Sequence, residues 1–152
     1  MAYWLFKSEP ETFSIDHLKA CPKNTDAWNG VRNYQARNML RDQIKIGDEG
    51  FFYHSNCKTP GIVGTVKVVR ASYPDTTQFD PESEYYDPKS SEDNPRWFVV
   101  DVKFNQKFSS IISLQQLKMI PELADMIVLR TGNRLSITPV TTKEWNIILN
   151  FK

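Results

Sequence analysis

Apolar and polar positions alternate over residues 2–7, with Tyr3, Leu5 and Lys7 on one side and Trp4 and Phe6 on the other, which predicts a first strand. The same pattern returns over 49–55, where Phe51, Tyr53 and Ser55 oppose Phe52 and His54. It returns again in the valine-rich run 62–71, where Gly64 marks a bend or a close approach. Lys58-Thr59-Pro60-Gly61 lies between these two runs and predicts a turn, hence a hairpin in a curved antiparallel sheet. A longer strand is predicted from Arg96 to Phe108. There Phe98, Val100, Val102 and Phe104 share the core face, while Trp97 falls on the more polar face with Val99, Asp101 and Lys103. A tryptophan so placed is either covered by another segment or offered to a ligand. Leu135 to Thr138 is a last, brief strand.

Helical spacing fills the gaps. Ser14 is a predicted cap for a short helix stapled by Phe13 onto Leu18 and ended near Cys21-Pro22, and a polar loop follows from Lys23 to Asp26. Asn33 caps a second helix with the buried stripe Ala36, Met39, Leu40, closing near Ile46-Gly47-Asp48. Ser113 to Gln116 and Thr141 to Glu144 are capping boxes for two more. The first carries Leu114, Leu117 and Ile120 up to Pro121; the second carries Trp145, Ile148 and Leu149.

Between Tyr73 and Pro95 the pattern fails. Prolines at 74, 81, 88 and 95 exclude a central strand or a long helix, while Tyr73, Phe79, Tyr85 and Tyr86 predict an ordered flap tied down onto the body. This segment also changes the charge picture. It holds seven acidic residues and one lysine, so the formal net charge of +1 conceals a basic body, compatible with an anionic partner.

Composition adds exclusions. A chain of 152 residues with 40% hydrophobic and 24% charged residues is expected to fold as one domain spanning 1–152, and no apolar run reaches the length of a membrane span. Cys21 and Cys57 predict reduced thiols in an intracellular protein, cytoplasmic in a bacterium or nuclear in a eukaryote. With His17 and His54 they lack structural-zinc spacing, and the zinc-deaminase, Walker A and dinucleotide patterns are absent, so no metal or cofactor is expected. Ser55-Asn56-Cys57-Lys58 has S-x-x-K spacing but sits at a strand end rather than a helix start. No catalytic residue is assigned.

What remains is an inventory of aromatic, amide and basic groups suited to binding: Lys7-Ser8, Trp28 to Tyr34, Tyr53 to Asn56, Trp97, and Arg130 to Ser136. Trp28-Asn29-Gly30-Val31-Arg32-Asn33-Tyr34 sets an indole and a glycine turn before a helix start. It reads either as one wall of a nucleobase pocket or as a core tryptophan before an ordinary amphipathic helix. Of the four tryptophans, Trp4 and Trp145 are expected in the core, and Trp28 and Trp97 at the pocket.

Tyr3-Trp4-Leu5, Lys7-Ser8-Glu9-Pro10, Trp28-x-Gly30-Val31-Arg32-Asn33-Tyr34-Gln35-Ala36-Arg37-Asn38, Phe52-Tyr53-His54-Ser55-Asn56, Asn94-Pro95-Arg96-Trp97 and Gly132-Asn133-Arg134-Leu135-Ser136 together resemble the EVE domain family over essentially the whole chain. The resemblance implies an α+β, PUA-like fold, a small, curved, mostly antiparallel β-barrel with short peripheral helices, related to YTH and ASCH domains. YTH domains read methylated adenine in RNA through an aromatic cage, and EVE domains are thought to read modified bases, including modified cytosine in DNA. By motif match, the expected base pocket comprises Trp28, Val31, Asn33, Tyr34, Tyr53, Ser55, Asn56 and Trp97. Lys7, Ser8, Arg32, Arg37, Arg130 and Arg134 are the expected phosphate contacts. Asn29 stands where relatives often carry an acidic residue, which bears on ligand preference if that position touches the base. The implied partner is DNA or RNA carrying a modified base, bound by a monomer. The alternatives are an ASCH-like enzyme acting on a small molecule or nucleoside, through Lys7, Ser8 or His54, and a general RNA-binding module.

Overall fold

Six strands form one mixed sheet in the order β2-β5-β4-β3-β1-β6, in a computed structural model that describes residues 1–151. The strands are β1 (Tyr3–Ser8), β2 (Thr25–Ala27), β3 (Glu49–His54), β4 (Gly61–Pro74), β5 (Phe98–Ser113) and β6 (Ile137–Val140). All neighbours are antiparallel except β1 and β3, which run parallel with Lys7 opposite Tyr53 and Ser8 opposite His54. The helices are α1 (Ile15–Ala20), α2 (Tyr34–Asn38), α3 (Leu114–Lys118) and α4 (Thr142–Phe151). A wider turn, Met39–Gln43, extends α2.

The alternation in β1 and β3 divides the interior in two. Trp4, Phe6 and Phe52 face one core, closed by Ile15 and Leu18 of α1 and by Ala36 of α2 with Met39 and Leu40. Leu5, Phe51 and Tyr53 face the other, closed by Leu117 of α3 and by Trp145 and Ile148 of α4. As expected from sequence, Trp4 and Trp145 are core residues. Trp4 donates its indole N–H to buried Asp48 at 3.0 Å, and Trp145 stacks on Tyr3 and Phe51 with ring centroids 4.4 and 4.2 Å away.

The β4–β5 hairpin serves both cores. Its pairing shifts register at four places, and each irregularity bends the ladder and adds twist. Val66, Val68, Val100 and Val102 therefore lie in the first core, and Ile62, Phe108 and Ile112 of the same two strands in the second. Gly64 sits at one shift, where an added Cβ would lie 2.1 Å from the Gln106 carbonyl oxygen.

Several boundaries differ from the sequence expectation: β4 runs on through Tyr73 and Pro74, paired with Val99 and Phe98, rather than ending near Ala71, and β6 begins at Ile137 rather than Leu135. Thr25–Ala27, read as loop, is an edge strand because Thr25 to Ala27 find partners in Lys103 to Asp101 of β5. Strand β5 continues to Ser113, five residues past Phe108. The α2 extension ends at Gln43, short of Ile46.

The acidic segment lies down as an ordered flap held by two buried side chains. Gln78 donates to the carbonyls of Asp75 and Trp97 at 2.7 and 2.8 Å and accepts from the backbone N–H groups of Arg96 and Trp97 at 3.0 and 3.1 Å. Asp75 caps the turn Thr76–Phe79 through its bond from the Thr77 N–H. Trp97 is covered by this flap, only 6% exposed, with its indole N–H donated to Asp87 at 2.7 Å.

Candidate functional site

A cleft of about 700 Å³ opens where β1 ends, between the stretch 26–32 and the tip of the flap. Its volume falls in the range of small-molecule and cofactor sites. Lys7 and Ser8 enter it from the last residues of β1. The Ser8 hydroxyl donates to the Phe13 carbonyl at 2.7 Å and the Ser8 carbonyl accepts from the Ser55 N–H at 2.9 Å, so the β1 end and the turn before α1 move as one wall.

Trp28 follows edge strand β2 and is anchored by its own N–H to the Val100 carbonyl at 2.8 Å. Its ring meets Phe6, Phe52 and Phe13 edge-on, at centroid distances of 5.2, 5.4 and 6.2 Å, and the residue is 7% exposed. The tryptophan is therefore part of the first core and also borders the cleft. Among the described residues its indole N–H has no hydrogen-bond partner, whereas Trp4 and Trp97 give theirs to carboxylates.

Gly30 and Tyr85 form the opposite wall. Gly30 has φ +79°, a left-handed conformation, and a Cβ there would lie 2.6 Å from the Tyr85 ring. Its N–H donates to Asp75 at 2.9 Å. Arg32 then reaches into the flap with every N–H it has: to the Tyr85 carbonyl from Nε and Nη2, to the Val31 carbonyl and Asp75 from Nη1, and to the Thr77 hydroxyl from Nη2. Burial pushes the Asp75 carboxyl up, but the bonds from Thr77, the Gly30 N–H and Arg32 outweigh it and hold the group below the ordinary carboxylate range.

Lys7 is the contrasting cation. Its half-buried ammonium has no hydrogen bond or ion pair to a described residue and sits 6.0 Å above the Tyr53 ring. Desolvation lowers its pKa. Glu9, Asp26 and Glu84 also border the cleft, and Asn56 donates to Glu9 at 2.9 Å.

Of the residues expected from sequence, the cleft gathers Lys7, Ser8, Trp28, Val31 and Arg32. Arg32, expected on phosphate, has all five N–H groups bonded within the protein. Asn33 is spent as the α2 cap, accepting from the Ala36 N–H at 3.0 Å. Tyr34 lies outside the cleft, 51% exposed and stacked on Trp97 at 4.9 Å, because Ala36, Met39 and Leu40 occupy the buried face of their helix. Trp97 is enclosed behind it. Tyr53 belongs to the second core on the other side of the sheet, where burial pushes its hydroxyl up to about 12. Ser55 and Asn56 support the wall behind Ser8 and Glu9 without bordering the cleft, and Arg37, Arg130 and Arg134 stand apart from it.

His54 accepts from the Ile15 N–H through Nε2 at 3.1 Å, so it caps α1. Sequence reasoning missed Phe13 and Tyr85 as cleft walls, since neither carried a local signal, whereas Gly30 lies in the stretch read as one wall. The described residues hold no cluster of three or more His, Cys, Asp or Glu placed to bind a metal, and no helix is long and apolar enough to cross a membrane.

Comparison with known proteins agrees with the fold. The EVE domain model matches residues 2–151. Human Thymocyte nuclear protein 1 is 48% identical over 168 residues, covering 99% of this chain and 74% of that protein. A Pseudomonas syringae protein of known crystal structure is 45% identical, covers 99% of both chains and superposes with a TM-score of 0.93. The crystal structure of human THYN1 in complex with 5-methylcytosine-containing DNA is 47% identical, with a TM-score of 0.93 over 99% of this chain and 97% of that one. With an α+β, PUA-like sheet and a match along its whole described length, the chain belongs to the EVE domain family.

Proposed function

We propose that this protein reads a modified nucleobase by taking the nucleotide into the cleft beside Trp28. One observation carries the reading: a cleft of nucleotide size is bordered by Lys7 and Trp28, whose ammonium and indole N–H have no hydrogen-bond partner among the described residues. A flipped or single-stranded base would pack between Val31 and Tyr85, take edge hydrogen bonds from Trp28 and backbone groups, and place its phosphate at Lys7. A modifying group that fills the pocket without unpairing a donor sets the preference, because a wrong edge leaves a buried polar group unsatisfied. The binding of 5-methylcytosine-containing DNA by human THYN1 supports DNA as the first partner to test and modified cytosine as the first base.

The test is a fluorescence-anisotropy titration of matched oligonucleotides containing cytosine or 5-methylcytosine, with other modified DNA and RNA bases as further arms. A preference for at least one modified base over its parent, lost in Trp28→Phe and weakened in Lys7→Gln, is the expected result. Equal binding of every modified base and its parent overturns the reading.

A further inference from the structure

Aromatic rings and guanidinium groups form a continuous ladder from the cleft to the surface. Arg32 lies 5.5 Å from the Tyr85 ring that walls the cleft and 5.2 Å from Trp97. Trp97 stacks on Tyr34 at 4.9 Å, and the Arg37 guanidinium sits 4.8 Å over Tyr34. Arg96 reaches the Tyr34 hydroxyl from the same end at 3.5 Å, and its carbonyl accepts from Arg37 at 2.7 Å.

The two ends of the ladder differ in charge balance. At the inner end Arg32 is neutralised by Asp75 and all its donors are used. At the outer end neither Arg37 nor Arg96 has an ion pair among the described residues. Asp42 acts on Arg37 and Asp87 on Arg96 only through space, and the nearby carboxylates are bonded elsewhere, Asp42 by Arg41. Asp75 is engaged by Gly30, Arg32 and Thr77, and Asp87 by the Trp97 indole and the Lys89 N–H. Arg37 uses one N–H on Asn38 and one on the Arg96 carbonyl, so most of its fork is free yet fixed in direction. Two guanidiniums without an ion pair, Arg37 over the Tyr34 ring and on the Arg96 carbonyl and Arg96 at the Tyr34 hydroxyl, keep free donors for an oxyanion that accepts from both.

We propose that Arg37 and Arg96 grip a backbone phosphate of the nucleic-acid strand as it leaves the cleft. The inference rests on the reader function for its partner and extends it from one nucleotide to the flanking strand. The four steps of the ladder place this grip no farther than roughly six base steps from the cleft, at the ~3.4 Å rise of a B-form strand. The contact is to backbone, so it supplies affinity and direction but no discrimination between bases.

The experiment measures the salt dependence of binding for the full chain against the same cytosine and 5-methylcytosine oligonucleotides, comparing the unsubstituted protein with Arg96→Gln and with Arg37→Gln/Arg96→Gln. Arg96→Gln removes a side chain with one marginal hydrogen bond and no ion pair among the described residues, which protects the test if the double variant does not fold. The expected result for Arg96→Gln is binding weakened about tenfold to both oligonucleotides alike, with the salt slope smaller by about one. The double variant loses up to a further unit of slope. The ratio of modified to unmodified binding stays unchanged. An unaltered slope in Arg96→Gln overturns the phosphate grip whatever the ratio. A ratio of one in the unsubstituted protein, with the slope still falling in the variant, overturns base reading and leaves the grip standing.

Discussion

Replacing Asp75 with alanine tests what holds the flap against the cleft. The carboxylate accepts four bonds, from the Gly30 N–H, Arg32 Nη1, the Thr77 N–H and the Thr77 hydroxyl, at 2.9, 3.1, 2.9 and 2.6 Å. Its side chain is 1% exposed and that of Arg32 is 23% exposed. Bonds to a charged group contribute ~1.5–3 kcal/mol each when removed singly, but they are not additive, and removing one partner of a buried ion pair costs about 3–5 kcal/mol. Water reaches Arg32 once the carboxylate is gone, so the low end applies: about 3 kcal/mol, or a fall in Tm of about 6–12 °C for a chain of this size. Urea unfolding should show the lower midpoint, and limited proteolysis should cut between Asp80 and Pro95 before the rest of the chain. Asp75→Asn keeps an acceptor and should lose about half as much. Because folding lowers the Asp75 pKa, its contribution is present above the unfolded value near 3.8 and disappears as pH falls through the lower folded value. Asp75→Asn should therefore unfold with a shallower acid dependence. A loss under ~1 kcal/mol in Asp75→Ala, or additivity within ~0.5 kcal/mol in a cycle with Arg32→Met, would refute the claim that this pair pins the flap.

Three further outcomes follow from separate contacts. Gly30→Ala should cost about 1–2 kcal/mol for the left-handed backbone alone, and more for displacing the Tyr85 ring, which a urea melt with Tyr85→Ala as background would separate. Gly64→Ala should cost roughly 1–3 kcal/mol by forcing the β4–β5 register shift to open away from the Gln106 carbonyl; an unchanged melting curve would mean that the backbones are not so close. Burial lowers the His54 pKa, and its Nε2 must stay unprotonated to accept from Ile15. The folded protein thus binds this proton less readily than the unfolded chain, and stability should be full above about pH 6.5 and fall as pH drops toward the lower folded value. An NMR titration placing the His54 pKa at or above 6.5 would contradict this.

Sequence alone carried the elements whose reasons are local. Ser14, Asn33 and Ser113 cap their helices as read, and the alternation in β1, β3 and β5 assigns the correct residues to opposite faces. The features that failed to show are those made by a distant partner. Thr25-Asp26-Ala27 has no strand signal because its pairing comes from β5, more than seventy residues on. The polar stretch Asn105-Gln106-Lys107 reads as the end of a strand, yet the irregular ladder to β4 carries it onward. The site divides the same way. Lys7 and Trp28 stood in the sequence's inventory of aromatic, amide and basic groups, and both border the cleft. Whether Trp97 met a ligand or the flap depended on Gln78 and Asp87, whose side chains gave no sign of their targets.

The placement of β1 between β3 and β6 has a consequence for how the protein is made. This strand is synthesised before both of its neighbours and carries Tyr3-Trp4-Leu5-Phe6, yet its ladders are complete only after Glu49–His54 and then Ile137–Val140 have been added. A ribosome-bound chain therefore holds an incompletely paired, aromatic strand until Ile137–Val140 is made, the kind of segment that chaperones bind and that aggregates when they do not. The β3–β4–β5 meander, paired between sequence neighbours, is the part able to form first. Pulse-labelled hydrogen exchange should protect amides of β4 and β5 before those of Trp4 to Lys7. The cleft, which needs Lys7 and Ser8 in place, would then be the last feature to appear in the newborn protein.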